Sequence, residues 1–285
     1  MDRYSLLGRL PIGKFKEPPP VVAVIRLAGV IGALGPLRMG LTLSGVAGQI
    51  ERAFKLPRLK AVALAVNSPG GAPVQAALIG GRIRALAEEK EIPVIAFAED
   101  VAASGGYWLA SVADEIYADE NSIIGSIGVI SSGFGFHELL QRIGVERRLH
   151  TAGDKKSLLD PFTAEDPKDV ARLKSLQKEI HESFKDQVRE RRGERLKGSE
   201  KVLFSGEFWT GRKAVELGLI DGLGDLRGVL RQRYGEKLRL KRVDGARPWW
   251  RRRLPAGSAL PAPQDWAAGL LAAVEERALW SRYGL

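Results

Sequence analysis

The sequence predicts an α/β fold in which a mostly parallel sheet carries helices on both faces. Three observations point to it. Short, continuous apolar runs rich in Val, Ile and Ala recur along the chain, segments of helical spacing lie between them, and Gly-, Ser- or Pro-rich turns end the runs. Unbroken apolar runs suit strands covered from both sides, and the intervening segments suit the crossover helices that parallel strands need.

Residues 21–31 open the fold as a strand. That run is interrupted by Arg26, Gly29, Gly32 and Gly35 and stops at Pro36, whereas a membrane span needs about 20 mostly apolar residues. Residues 41–54 read as a helix with Leu43, Val46, Ala47 and Ile50 on one side. Residues 61–66 form a second apolar run, closed by the turn-forming Asn67-Ser68-Pro69-Gly70-Gly71. Helical spacing returns over 74–90 and ends in Glu88-Glu89-Lys90. Residues 93–97 are a third buried strand, and 115–118 and 127–130 are further short ones. Residues 166–192 form a long polar helix marked by Val170, Leu173, Leu176, Ile180 and Phe184. Helices over 211–217 and 226–234 flank an Asp221-Gly222 turn. From Pro248 the composition changes to Trp249-Trp250-Arg251-Arg252-Arg253 and a Pro/Ala/Gly/Ser linker. Asp265 then caps a terminal amphipathic helix with Trp266, Leu270, Val274 and Ala278 along one stripe. The chain divides into an N-terminal extension (1–20), a main domain (21–243) and a basic linker with the terminal helix (244–285).

Composition narrows the chemistry. Cys is absent, which removes disulfides, thiolate nucleophiles and cysteine metal sites. The three histidines, His137, His150 and His181, make no HExxH pattern, so no metal site is expected. The net charge of +10 is concentrated: residues 227–253 carry eleven Lys or Arg against Glu236 and Asp244. Such a cluster reads as a basic tail or a solvated surface, and not as a nucleic-acid-reading face. Residues 1–20 hold no apolar core of a secretory signal. A cytoplasmic protein is therefore expected.

In a parallel sheet the loops leaving the C-terminal strand ends carry the chemistry. The most Gly- and Ser-rich loops, 67–71 and 102–106, fall at such ends. A serine at a strand-to-helix turn, here Ser104, exposes its hydroxyl beside free helix-end N–H groups; an N-cap role is the alternative. The Ser68–Gly71 loop can aim N–H groups at a developing oxyanion, or it is a simple turn. Neither loop matches a nucleotide-phosphate motif. A serine nucleophile also needs a base. His137 and Lys156 are both candidates, and a lysine serves only where its surroundings lower its pKa from about 10.4 toward 7. Chemistry alone leaves the two open.

Five segments in order, NSPGGAP at 67–73, AASGGYW at 102–108, GSIGVI at 125–130, AGDKKSLLDPF at 152–162 and TGRKAVELGLIDGLGD at 210–225, resemble the signal peptide peptidase A family. The resemblance spans most of 21–235. It implies a Clp-protease/crotonase-like fold of repeated ββα/βαβ units with a C-terminal helical extension, and a Ser-Lys endopeptidase working through an acyl-enzyme. Position by position it implies Ser104 as nucleophile and Lys156, rather than Lys155, as base. It also implies an oxyanion hole from the N–H groups of Gly71 and Ser104, and Ser126 as the hydroxyl that orients the lysine amine. His137 matches no catalytic position, and no cofactor is implied. The expected substrates are peptides, such as signal peptide remnants or apolar and small-residue segments. A ring- or dome-like homo-oligomer is implied, with the dyad formed within or between chains. Family members commonly carry an N-terminal membrane anchor, which this reading does not expect here. Residues 248–285 would then serve either as a peripheral contact with anionic lipid or as an arm on a neighbouring subunit. A crotonase-like acyl-CoA enzyme and a non-catalytic peptide-binding scaffold are the other readings of the same fold.

Overall fold

The structure, a computed structural model, describes residues 19–33, 40–153, 155–244 and 263–285. The expectations for the extension before Pro19 and for the basic-aromatic stretch 249–253 lie outside the described residues. In chain order the elements are β1 (Val21–Ala28), α1 (Leu43–Phe54), β2 (Leu59–Ser68), α2 (Pro73–Lys90), β3 (Val94–Ala103), α3 (Gly105–Ser111), β4 (Glu115–Ala118), β5 (Ile123–Gly125), α4 (His137–Arg142), α5 (Pro167–Arg192), α6 (Glu200–Leu203), β6 (Phe208–Thr210), α7 (Gly211–Glu216), β7 (Gly222–Leu223), α8 (Leu226–Tyr234), β8 (Arg239–Arg242) and α9 (Pro263–Ser281).

Among the described residues the strands form one sheet in the order β6-β5-β3-β2-β1-β8, and β4 joins β3 to β7. All pairings are parallel except β5 with β6. The expected α/β architecture is present. Strand β3 forks. Its first half, from Ile95 to Ala98, lies beside β4, and its last residues, Val101–Ala103, lie beside β5. Pleating divides the core between the two faces. Val62, Leu64 and Val66 of β2 join the large cluster with Ile50, Ile79, Ile83 and Tyr107 under α1, α2 and α3. Ala61 and Ala63 point the other way, with Ile95, Phe97 and Leu230, to a smaller cluster under α8.

Local signals set the helix limits. Thr42 caps α1 by accepting the N–H of Gly45, and Asp166 caps α5 by accepting that of Lys168. Helix α5 is clamped to the sheet by Arg192, whose side chain is almost wholly buried and pairs with Asp221 at 2.7 Å. Asp221 also accepts the N–H of Ile116, the second residue of β4, at 2.7 Å. Burial pushes the Asp221 carboxyl up, but Arg192, the Ile116 N–H and Arg195 outweigh it and hold the group below the ordinary value.

Two expectations are corrected. Residues 127–130 are not a strand; the pairing residues are Ile123–Gly125. The positive φ of Gly125 (111°) and Ser126 (53°) turns the chain off the sheet there. The terminal helix forms, but Leu270, Val274 and Ala278 of its predicted stripe face outward. Leu270 and Val274 are exposed, whereas Ala272 is buried, and Leu279 and Tyr283 are half-buried on that inner side. Among the described residues no helix is long and apolar enough to cross a membrane.

Candidate active site

Ser104 stands where β3 gives way to α3. Its φ of 52° and ψ of −125° form a conformation that L-residues rarely adopt, at a cost of about 1–3 kcal/mol that the surrounding packing must sustain. Its carbonyl accepts the N–H of Trp108 at 3.0 Å and so closes the first turn of α3. Its side chain makes no cap hydrogen bond. The capping role therefore does not hold this serine in place, and its hydroxyl has no hydrogen-bond partner among the described residues.

The facing loop comes within touching distance. Gly70 has φ 108°, and a Cβ there would lie 2.7 Å from Ser104 Cβ. Gly71 has φ 138°, and its Cβ would lie 2.1 Å from the carbonyl oxygen of Ile31. Glycine is needed at both for the same two reasons, a left-handed backbone and no room. The Ile31 N–H donates to Gly70 O and the Ala72 N–H to Ile31 O, both at 2.8 Å. This brackets Gly71 and leaves its own N–H without an acceptor among the described residues.

The second expected donor is corrected. The Ser104 N–H donates to Gly125 O at 2.8 Å, continuing the β3–β5 ladder past its last pair. It is therefore spent. The next N–H, that of Gly105, has no acceptor among the described residues, and a Cβ on Gly105 would lie 3.5 Å from the Gly71 nitrogen. Gly71 and Gly105 thus present two neighbouring free donors at the N-terminus of α3, beside the Ser104 hydroxyl. Such a pair can stabilise negative charge that develops on a reacting oxygen.

Ser126 is buried, and its loop is pinned on three sides. Its N–H donates to Glu207 O at 2.7 Å, its carbonyl accepts the Gly128 N–H at 3.0 Å, and His181 Nε2 lies 3.0 Å from Ile127 O. Its hydroxyl is met by the Tyr283 hydroxyl at 3.3 Å. A cleft of about 400 Å³ opens over Ser104 and Gly71, walled by Pro69, Trp108, Ile180 and Phe184. Trp108 and Phe184 stack at 4.9 Å. One side of the wall is apolar, Ser131, Ser132 and Arg282 add polar groups to the rest of it, and the Ser104 hydroxyl and the two amides lie at its foot.

The structure does not bring either candidate base to this cleft. Lys156 is exposed, in a turn over 155–159 where its N–H donates to Gly153 O at 3.1 Å. His137 begins α4 and lies outside the lining residues. Both belong to a protruding arm, residues 129–166. Arg147 pairs there with Asp160 at 2.7 Å and lies over the Phe162 ring at 4.9 Å. Ile130, Phe134, Leu139, Ile143 and Val145 of the arm are exposed.

Sequence reasoning did not assign roles to Gly105, His181 or Tyr283. Gly105 adjoins the expected donor Ser104, and only the backbone pairing distinguishes the two amides. His181 falls between Ile180 and Phe184 of the long helix, so its periodicity placed it near the cleft-facing side. Nothing in the sequence signalled Tyr283.

Residues 86–237, a little over half of the chain, match the profile of "Peptidase family S49". The chain is 32% identical to "Serine protease SPPA, chloroplastic" of Arabidopsis thaliana over 72% of its own length and 31% of that protein's. It is 32% identical to "Protease 4" of Haemophilus influenzae over 70% of its length and 32% of that protein's. A protein of Brucella abortus named "Na(+)/H(+) antiporter NhaA" is 51% identical over 99% of this chain. The match covers 39% of that longer protein, so its name describes more than the part shared here. The chain spans between about a third and two fifths of these relatives.

Proposed function

The chain belongs to peptidase family S49, whose Clp-protease/crotonase-like fold the mixed α/β sheet matches, and from that premise we propose that it is a serine peptidase with Ser104 as nucleophile and Lys156 as base. The observation that carries the proposal is the uncommitted Ser104 hydroxyl on a strained turn beside the free N–H groups of Gly71 and Gly105. The hydroxyl oxygen attacks the peptide carbonyl carbon while the neutral lysine amine takes its proton. The carbonyl oxygen becomes an oxyanion held by the two amides. The C–N bond then breaks, the ammonium returns the proton to the leaving nitrogen, and water releases the acyl group by the reverse sequence.

Ser126 supports a lysine base because its hydroxyl can accept from an amine brought to the cleft. Since Lys156 sits on an exposed arm, the dyad is proposed to form between chains, with one copy's arm reaching its neighbour's cleft. The exposed apolar residues of the arm give such a contact its area. The apolar side of the cleft, Pro69, Trp108, Ile180 and Phe184, favours peptide segments rich in apolar or small side chains, signal peptide remnants among them. The outward Leu270–Val274 stripe is where the expected lipid contact of α9 would be made.

The direct test is labelling with a serine-reactive phosphonate followed by mass mapping: the adduct is expected on Ser104, and an adduct confined to another residue would remove it as nucleophile. A second expectation concerns the oxyanion donors. Gly71→Ala is expected to lower kcat on a peptide about a hundredfold or more, because the new Cβ collides with Ile31 backbone and shifts the donor. Gly81→Ala in α2, where a Cβ meets nothing within 4 Å, is the control and should leave kcat unchanged.

A further inference from the structure

We propose that the seat beside Ser126 has two rival occupants, the amine of Lys156 and the phenol of Tyr283, so that α9 and the residues after it act as a strap that holds the site off. The inference rests on the Ser-Lys reading above and adds a control to it. Tyr283 lies 3.3 Å from Ser126 Oγ and 3.4 Å from Pro69 O through its hydroxyl. Its ring meets Phe208 edge-on, with centroids 5.1 Å apart. Two more residues of the same segment, Leu279 and Arg282, form part of the wall of the Ser104 cleft itself.

The strap is applied by one side of the helix. Ala272 is buried and Leu279 half-buried, seven residues apart on one helical face, and the turn that follows the helix, closed by the Tyr283 N–H on Trp280 O at 3.0 Å, brings the half-buried Tyr283 to the same side. The exposed Leu270 and Val274 mark the opposite face. An amine that uses Ser126 as its acceptor must come within about 3 Å of the same oxygen, and the phenol with its ring stands there. Leu279 meanwhile narrows the space a peptide would enter. Occupation by Tyr283 and completion of the dyad therefore exclude one another. Both hydroxyl contacts are long for O–H···O bonds, so the strap can be displaced by an arriving arm and peptide.

The strap lowers the fraction of competent sites, and turnover should rise by the inverse of that fraction when it is released. The test uses the full chain with Tyr283→Phe, which removes only the hydroxyl, and with Leu279→Asp/Tyr283→Ala, which removes the hold. Turnover of a fluorogenic apolar peptide is measured beside the rate of phosphonate labelling at Ser104. The double variant is expected to turn over about three- to tenfold faster than the parent, with Tyr283→Phe between them. A synthetic peptide of residues 276–285 added in trans should reverse the gain. Equal or lower turnover in the double variant, with Ser104 labelled as in the parent, would overturn the strap alone. No labelling and no turnover in any of the proteins would overturn the dyad and the strap together.

Discussion

Ser104→Ala is expected to abolish peptide hydrolysis, and Lys156→Ala to reduce it nearly as far, yet a mixture of the two proteins should regain activity. Loss of a nucleophile costs on the order of 10⁴-fold or more, and residual rates come from the oxyanion site and from binding. Loss of a general base costs about 10²–10⁴-fold. The regain is the informative part. If the arm of one copy serves the cleft of the next, a Lys156→Ala chain offers an intact Ser104, and a Ser104→Ala neighbour offers an intact Lys156. In a randomly mixed assembly about one site in four then holds both groups. If the dyad closed within a chain, no chain in the mixture would hold both, and mixing would restore nothing. Activity of the mixture after subunit exchange, compared with either protein alone, separates the two arrangements. A folded Lys156→Ala protein of full activity would remove the lysine from the mechanism.

The largest effect on stability is expected at Arg192. Its side chain is 1% exposed, and its partner Asp221 also anchors β4 through Ile116. Arg192→Met keeps most of the volume but leaves the carboxylate half-buried with Arg195 as its remaining cation, at 3.3 Å. Breaking a buried pair on one side costs about 3–5 kcal/mol, which for a domain of this size lowers Tm by about 6–15 °C. Adding Asp221→Leu should recover only part of the loss, because the Ile116 N–H is then left without its acceptor. The pH dependence has a definite sign. The Asp221 carboxyl is held below its ordinary value in the folded protein, so its contribution is complete above the unfolded value of about 3.9 and is lost as pH falls through the lower folded value. Thermal unfolding of the parent across that acid range should show the loss, and Arg192→Met should show less of it.

The sheet and its crossover helices were legible because strands buried on both faces leave continuous apolar runs, as in 61–66 and 93–97. The helices over 41–54 and 166–192 were legible from their apolar spacing, and their caps at Thr42 and Asp166 set the starts at Leu43 and Pro167. The site was legible in part. Ser104 and Gly71 lie in loops whose glycines follow from close backbone approach. Their neighbourhood is set by the pairing of β2 with β3, which those runs already implied. The division of labour between the Ser104 and Gly105 amides was not legible, since it depends on whether the ladder with β5 runs one bond further. Strand β5 was misplaced because the GSIGVI segment has the composition of a strand, while the positive φ at Gly125 and Ser126 takes its apolar part to the cleft wall. Lys156 was singled out only through the motif around it, and its distance from the cleft of its own chain has no local signature. The inward side of α9 and the turn after it escaped because Ala272, Leu279 and Tyr283 are less apolar as a set than the outward Leu270 and Val274.

The margins of the sheet bear on how copies of this chain can meet. Among the described residues the main run of strands ends on one side in the four residues of β8, where Arg239, Lys241 and Arg242 are exposed, and on the other in the three residues of the antiparallel β6, while the branch through β4 ends in the two residues of β7. Short, cationic or reversed edges offer a poor template for a further strand. Growth by strand addition, the common route from a stored enzyme to an insoluble one, is thereby discouraged at each of these ends. The contact proposed above, between one copy's arm and its neighbour's cleft, is accordingly one of side-chain surfaces and not of paired strands.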